Sequence, residues 1–276
     1  MTNIAICAPA TPITREHAEA LGALVVAEFP QHSLNFHDQC FATEGHFAGS
    51  DETRLSAFVE CANDPSFDAV WFARGGYGSN RIAQAAIEQL SAAARAKSYI
   101  GFSDCGYLLA ALYKAGIGQC VHGSMPVNAL AEDTRDAVRN VLSWIGGDER
   151  ALEPSLDGST PAVAFNLTTL AMLARSPLMP DLSGHVVMVE EVSEHMYAID
   201  RLFFAVSHNL QGIAGLRLGA VTDVPDNHVE FGMSAEDIAR YWCERSGITY
   251  LGRAEIGHTS ANKVVPFGLA GQSAAA

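Results

Sequence analysis

The sequence predicts an α/β fold: a parallel sheet with helices on both faces, followed by a smaller C-terminal α/β or α+β domain. The first half of the chain alternates short apolar runs with helical patterns, which is typical of parallel sheets. A stretch rich in turn-forming residues interrupts the chain past its middle. The 276 residues, 49% of them hydrophobic, suffice for two domains of ordinary size.

The first predicted domain covers residues 1–145. Short apolar runs predict its strands, and apolar residues at helical spacing predict its helices. In chain order these elements are a strand at 3–8, a helix at 15–27, a strand at 69–73, a helix at 80–95, a strand at 99–102, a helix ending at 115 and an amphipathic helix at 132–144. Because strand and helix alternate, we expect a flavodoxin-like or Rossmann-like sheet.

A linker at residues 146–160 precedes the second predicted domain, residues 161–276. Gly146 and Gly147 end the preceding helix, and turn formers follow. The pattern of the second domain predicts a helix at 167–174, a buried strand at 185–189, a helix at 199–210, a strand at 216–221, a helix at 235–245 and a terminal strand near 264–267. We expect these elements to have a core of their own.

The composition limits the partners of the chain. Its formal charge is −14, from 31 acidic and 17 basic residues, and the basic residues are scattered. Nucleic acid and anionic membranes are poor partners for such a surface. The N-terminus has no basic leader, and the uncharged runs fall short of the roughly 20 residues that span a bilayer. We therefore expect a cytoplasmic protein with reduced cysteines, since none of the six forms a Cys-x-x-Cys pair.

A candidate nucleophile, Ser103, lies in the run Gly101-Phe102-Ser103-Asp104, where a strand should give way to a helix. Such a turn exposes a hydroxyl at the carboxyl edge of a sheet and directs the first free N–H groups of the helix toward the group under attack. The alternative role for Ser103 is to cap the helix. Cys105 is the alternative nucleophile, but its place inside the first helical turn favours packing beneath that turn.

A glycine-rich loop, Ala73-Arg74-Gly75-Gly76-Tyr77-Gly78-Ser79, follows the preceding predicted strand. We expect it beside the Ser103 turn, because ligands bind at the carboxyl ends of the strands in open α/β sheets. The loop matches neither nucleotide-binding glycine pattern, so no nucleotide cofactor is predicted. A metal is not predicted either, because His32, His37 and His46 lack the spacing of a helical zinc site.

A serine of this kind needs a base and an acid that orients the base. His258 follows Gly257 in a loop that suits presentation to a neighbouring domain. Glu190 and Glu191 end an apolar strand, where alternation would turn one toward a cleft and the other toward solvent. The alternative is that both acids lie on a solvated surface. His122 precedes a further strand-end loop and is a candidate pocket residue.

A series of motifs resembles those of the LD-carboxypeptidase family. They are Ala8-Pro9, Ala73 to Ser79 with Arg81, Gly101-Phe102-Ser103-Asp104, Asn166-Leu167, Val189 to Glu194 with Asp200-Arg201, and Gly257-His258. The resemblance spans most of the chain, and the A-R-G-G-Y-G block followed by G-F-S-D is specific. The family contains cytoplasmic muramoyl-tetrapeptide carboxypeptidases, which remove the terminal D-alanine from murein tetrapeptides during wall recycling, and microcin C immunity peptidases.

The resemblance implies a metal-independent serine peptidase with a Ser-Glu-His triad. Ser103 would be the nucleophile, Glu190 the orienting acid and His258 the general base. Glu190 is preferred to Glu191 because the acid of the family is the first of the pair. The family is commonly dimeric, so a homodimer is expected.

Four further residues are candidates for binding the oxyanion or the substrate. The backbone N–H groups of Asp104 and Gly76 would hold the oxyanion, and Asn166 is a candidate substrate-binding residue. The planar guanidinium of Arg74 suits a terminal carboxylate, although a hydrogen bond to its own loop is an equal alternative.

The chain departs from the family pattern where the substrate would bind. Phe165 replaces a usual glycine and is expected to narrow the pocket, Ser124 replaces a proline, and Cys105-Gly106 replaces an apolar residue and a threonine. A murein tetrapeptide is the predicted substrate. The alternatives are a peptidyl- or aminoacyl-adenylate analogue, for which Phe165 or Tyr197 would offer an aromatic platform, and a noncatalytic small-ligand binding protein. An ordinary esterase is disfavoured because G-x-S-x-G is absent.

Overall fold

The first sheet gives the molecule its doubly wound architecture. The computed structural model describes residues 1–269. The strands of this sheet are β1 (Thr2–Cys7), β2 (His32–Phe36), β3 (Ala69–Phe72), β4 (Ser98–Gly101), β5 (Gln119–His122) and β10 (Val265–Pro266), in the spatial order β10-β5-β4-β3-β1-β2. Strands β1 to β5 are parallel, and their order is flavodoxin-like, with the direction of winding reversing between β1 and β3. The predicted fold class is confirmed.

Helices cover both faces of this sheet. They are α1 (Arg15–Glu28), α2 (Asp51–Asn63), α3 (Ser79–Gln89), α4 (Gly106–Lys114) and α5 (Arg135–Ile145). Helices α1 and α5 bury their apolar side chains in a cluster on one face, and α2, α3 and α4 do so on the other. The sequence prediction missed β2 and α2, and it recognised only the end of β5, at His122. It extended α3 too far, because a separate 3-10 turn forms at Ala92–Ala96.

The second sheet is parallel throughout, so this part of the chain is α/β. Its strands β6 (Ala162–Asn166), β7 (Val186–Val192), β8 (Gly215–Thr222) and β9 (Tyr250–Arg253) lie side by side in that order. Helices α6 (Leu167–Leu173), α7 (Met196–Asn209) and α8 (Ala235–Ser246) connect them. Among residues 1–269, no helix has the length and apolar character needed to cross a membrane.

The two sheets are joined more closely than the sequence predicts. The terminal strand expected in the second domain is β10, and it pairs antiparallel with β5, with Val265 opposite His122. Buried apolar residues of both sheets form one continuous cluster, in which the rings of Phe165 and Phe267 lie 5.1 Å apart. The expectations of a separate second core and of a terminal strand within it are therefore wrong, because the chain returns to the first sheet and helices α4 and α6 pack together.

Candidate active site

Ser103 lies at the predicted strand-to-helix turn. Strand β4 ends at Gly101, a 3-10 turn covers Ser103–Cys105, and α4 begins at Gly106. The φ angle of Ser103 is +56°, a left-handed conformation that costs a residue other than glycine about 1–2 kcal/mol. Cys105 is buried beneath the turn, and burial raises the pKa of its thiol. The turn thus presents Ser103, half-buried, and keeps Cys105 protonated.

The glycine-rich loop lies beside this turn, as predicted, because β3 and β4 are neighbours. Ser79 Oγ donates a 2.7 Å hydrogen bond to the carbonyl oxygen of Asp104. A Cβ atom on Gly75 would lie 3.3 Å from Ser103 Cβ, so the absence of a side chain lets the loop approach the serine closely. Gly76 has a φ of +83°, and a Cβ there would lie 2.7 Å from Thr11 Cγ2.

Asp104, which follows the serine, and Gly76, in the neighbouring loop, are the predicted backbone donors. Within residues 1–269, the N–H groups of Asp104 and Gly76 donate no backbone hydrogen bond outside the regular helices and strands. The Asp104 carboxylate accepts a 3.1 Å hydrogen bond from Thr169 Oγ1, and burial raises the pKa of this carboxyl group. Arg74 is exposed, and its contact with the carbonyl oxygen of Pro12 is long, at 3.4 Å. Its guanidinium is therefore accessible to a substrate.

The C-terminal half of the chain contributes a histidine and a carboxylate that are bonded to each other. His258 Nδ1 lies 2.8 Å from Glu190 Oε2. The Glu190 side chain is 0% exposed, whereas that of His258 is 27% exposed. Burial raises the pKa of Glu190, and the hydrogen bond from His258 opposes this effect. Because a carboxylate only accepts, Nδ1 carries the proton, and Nε2 is left as the basic nitrogen.

This pair lies next to the serine turn. The His258 ring is 4.4 Å from the ring of Phe102, the residue that precedes Ser103. Among residues 1–269, no hydrogen bond joins Ser103 Oγ to His258. His122 was expected to line the pocket, but it is buried and its ring packs against Phe102, with 5.3 Å between the centroids. Its strand, β5, runs inside the sheet between β4 and β10, which keeps the ring in the interior.

Glu191 does not face solvent, so the expectation of one solvated acid is wrong. Both Glu190 and Glu191 are buried. Glu191 accepts hydrogen bonds from the Asn166 side chain at 2.8 Å and from both the backbone N–H and the hydroxyl of Thr168. The start of α6 lies against the end of β7 and supplies these donors. The other end of the Asn166 amide accepts from the N–H of Thr169 at 3.0 Å.

Phe165 belongs to the core, and the expectation that it narrows the pocket is wrong. Its side chain is 1% exposed. A Cβ atom on Gly106 would lie 3.2 Å from the Phe165 ring. The ring of Phe165 therefore occupies the space that a side chain at position 106 would need. Two of the departures from the family pattern therefore compensate each other. The third, Ser124, is buried, and its hydroxyl accepts a 2.9 Å hydrogen bond from Asn128.

Two polar residues of the site were not predicted. Thr169 links α6 to the carboxylate of Asp104, and its place three residues after the capping Asn166 is the signal that a capping search would detect. Asn262 lies behind His258 and accepts a hydrogen bond from the N–H of Gly257 at 3.0 Å. No motif in the sequence distinguishes this asparagine. Within residues 1–269, no group of three or more His, Cys, Asp or Glu side chains is placed to hold a metal ion.

Comparison with protein families decides what kind of protein this is. Residues 4–123 match the LD-carboxypeptidase N-terminal domain, and residues 160–272 match the LD-carboxypeptidase C-terminal domain. The chain belongs to the LD-carboxypeptidase family. The two matches to this serine-type carboxypeptidase family thus include the half of the chain that holds Ser103 and the half that holds Glu190 and His258.

Individual relatives of this LD-carboxypeptidase-family protein span nearly its whole length. It is 25% identical to the murein tetrapeptide carboxypeptidase of Pseudomonas aeruginosa, over 96% of this chain and 91% of that protein. The crystal structure of muramoyltetrapeptide carboxypeptidase from Oxalobacter formigenes has a TM-score of 0.80 and 24% identity, covering 97% of this chain and 93% of that one. A microcin C7 self-immunity protein bound to adenosine monophosphate has a TM-score of 0.81 at 16% identity, covering 97% and 91%. The two solved structures share the fold.

Proposed function

We propose that this protein is a metal-independent serine carboxypeptidase that removes the terminal D-alanine from murein tetrapeptides. The observation that carries the proposal is the 2.8 Å contact between His258 Nδ1 and Glu190 Oε2, placed against the turn that presents Ser103. The name of the Pseudomonas relative, a murein tetrapeptide carboxypeptidase, supports the choice of substrate.

In this mechanism the three residues act as nucleophile, base and orienting acid. Ser103 Oγ attacks the carbonyl carbon of the L,D peptide bond while His258 Nε2 takes the hydroxyl proton. Collapse of the tetrahedral intermediate breaks the C–N bond, and the imidazolium returns its proton to the amine of the departing D-alanine. Water, deprotonated by His258, then attacks the acyl carbon, and the bond to Ser103 Oγ breaks as the imidazolium returns its proton to that oxygen. Glu190 holds Nδ1–H throughout and stabilises the imidazolium.

The loops around Ser103 supply the remaining parts. The N–H groups of Asp104 and Gly76 would bind the oxyanion, and losing one such donor typically costs about 3 kcal/mol of barrier. The exposed guanidinium of Arg74 would bind the terminal carboxylate of the substrate. Asn166 is expected to act indirectly, because both ends of its amide are engaged, by Glu191 and by the N–H of Thr169.

The direct test is incubation with a murein tetrapeptide, followed by quantification of free D-alanine. Release is expected from the wild type and not from Ser103→Ala. Ser260→Ala is a matched control, because this serine is exposed and lies two residues from His258. Absence of release from a folded wild type would remove the proposal, and so would release by Ser103→Ala at the wild-type rate.

The second candidate function is hydrolysis of a peptidyl- or aminoacyl-adenylate analogue. The similarity to the microcin C7 self-immunity protein favours it. Phe165 cannot serve as the aromatic platform because it lies in the core, which leaves Tyr197, with an exposure of 49%. The ratio of kcat/KM for the tetrapeptide to that for an aminoacyl-adenylate analogue separates the two activities, and we expect the tetrapeptide to be preferred. If the wild type binds a ligand but is not labelled by a serine-reactive probe, the protein is instead a noncatalytic binding protein.

The proposal includes a homodimer in the cytoplasm. The family resemblance supports the dimer, and the acidic composition with scattered basic residues suits a soluble compartment. Light scattering coupled to size-exclusion chromatography should give twice the mass of the chain, and cell fractionation should recover the protein with cytoplasmic markers.

A further inference from the structure

The turn that carries His258 is organised by the side chain of Asn262. Asn262 Oδ1 accepts the N–H of Gly257 at 3.0 Å across the turn. Gly257 has a φ of +133°, and a Cβ atom there would lie 2.8 Å from Ala220 Cβ, so the turn sits tightly against β8. Asn262 is 1% exposed. Any movement of its amide would therefore be transmitted to the backbone that precedes His258.

The orientation of this amide is fixed by chemistry. A backbone N–H only donates, so the atom facing Gly257 must be the amide oxygen. The same oxygen lies 3.4 Å from His122 Nε2. Burial lowers the pKa of His122 to about 4, so the ring is neutral near pH 7.

These contacts connect the two domains behind the catalytic pair. His122 ends β5 of the first sheet, and its ring packs against Phe102. Phe102 in turn packs against His258 and directly precedes Ser103. His122 therefore contacts Asn262, which is bonded to the turn of His258. It also contacts Phe102, which packs against His258 and precedes Ser103.

We infer that Asn262 is a positioning residue for His258, and that His122 anchors it to the domain that holds Ser103. The inference rests on the proposed function, because the contacts matter for catalysis only if His258 is the base. Removing the acceptor would free the 257–262 turn and let His258 leave its place between Glu190 and Phe102. A displacement of about 1 Å at such a site can cost about a hundredfold in rate.

The test compares Asn262→Leu, which has a similar shape but no acceptor, with Asn262→Asp, which restores an acceptor for Gly257. Asn262→Leu is expected to lower kcat for D-alanine release by about 10- to 100-fold, with KM changed by less than about threefold. Asn262→Asp should recover most of kcat. The downfield proton resonance of the His258 Nδ1–H, held by Glu190, should broaden or vanish in Asn262→Leu and return in Asn262→Asp.

Asn63→Leu is the matched control, since Asn63 also bridges backbone groups, at the carbonyl of Gln89 and the N–H of Ser91. It should lose stability and keep both kcat and the resonance. Wild-type kcat in a folded Asn262→Leu would overturn the inference, as would an unchanged resonance. If Asn262→Leu does not fold, Asn262→Ala is measured by the same criteria. An inactive wild type would instead count against the proposed function.

Discussion

Replacing Glu190 by glutamine removes one charge from a position that excludes water. The carboxylate is fully buried, and Oε2 accepts from His258, whereas Oε1 has no hydrogen-bond partner among residues 1–269. A buried ion costs several kcal/mol after relaxation, and a single hydrogen bond to it returns about 1.5–3 kcal/mol. We therefore expect Glu190→Gln to raise the free energy of unfolding by about 1–2 kcal/mol at neutral pH.

The pH dependence of this gain has a definite sign. Burial raises the pKa of Glu190 in the folded state, so the folded protein holds this proton more tightly than the unfolded chain does. The stability cost of the carboxylate is absent below the ordinary glutamate pKa of about 4.3 and grows as the pH rises from there through the raised folded-state pKa. The stability difference between Glu190→Gln and the wild type should therefore be small in acid and reach its full size once the pH exceeds the raised folded-state pKa.

The same substitution should nearly abolish activity. A glutamine cannot neutralise the imidazolium of His258, and the comparable loss in serine proteases is about 10⁴-fold in kcat. Urea unfolding and D-alanine release, measured on one preparation, give both quantities. A variant less stable than the wild type at neutral pH would refute the reasoning about the buried charge. A kcat within about tenfold of the wild type would refute the role of Glu190.

Further predictions concern the strained serine, the buried histidine and the compensating pair. Ser103→Gly should abolish activity and raise stability by about 1 kcal/mol, because glycine accepts the positive φ of +56° without strain; a lower thermal midpoint would contradict this. The contribution of His122 to wild-type stability should fall by up to about 3 kcal/mol as the pH drops from about 6.5 toward 4, because the unfolded chain binds a proton that His122, with its pKa lowered to about 4, does not bind when buried; its sign is opposite to that of the Glu190 contribution. His122→Gln should flatten that loss in urea unfolding, and an unchanged slope would argue against it. Gly106→Thr and Phe165→Ala should each destabilise, by about 1–3 and 3–5 kcal/mol, and the double variant should be more stable than their sum predicts by about 1 kcal/mol. Additivity would show that the two positions are not coupled.

The neighbourhood of Ser103 was predictable from the sequence because it depends on local rules. Parallel strands bring their carboxyl ends to one edge of a sheet, so the glycine loop after β3 and the serine after β4 had to lie together. The setting of His258 in a loop after a glycine was also readable. The contact between His258 and Glu190 could not be predicted, because the two residues are 68 positions apart in the chain. Only the packing of the turn at His258 against the end of β7 brings them together.

The errors arose where distant partners decide the outcome. The strand β10 contains only Val265 and Pro266, and it forms where it does because β5 offers an edge. Glu191 alternates with Glu190 along a strand, but the start of α6 supplies it with donors that alternation does not reveal. Phe165 reads as a pocket residue until the space beside Gly106 is known.

The central claim is that Ser103 is a nucleophile activated by a base from the other domain. Covalent labelling by a fluorophosphonate, followed by mass spectrometry of the intact protein and its peptides, tests this directly. We predict a single adduct on Ser103 in the wild type and labelling slower by about 10²-fold or more in His258→Ala. An adduct on another residue, or equal labelling rates in the wild type and His258→Ala, would contradict the claim.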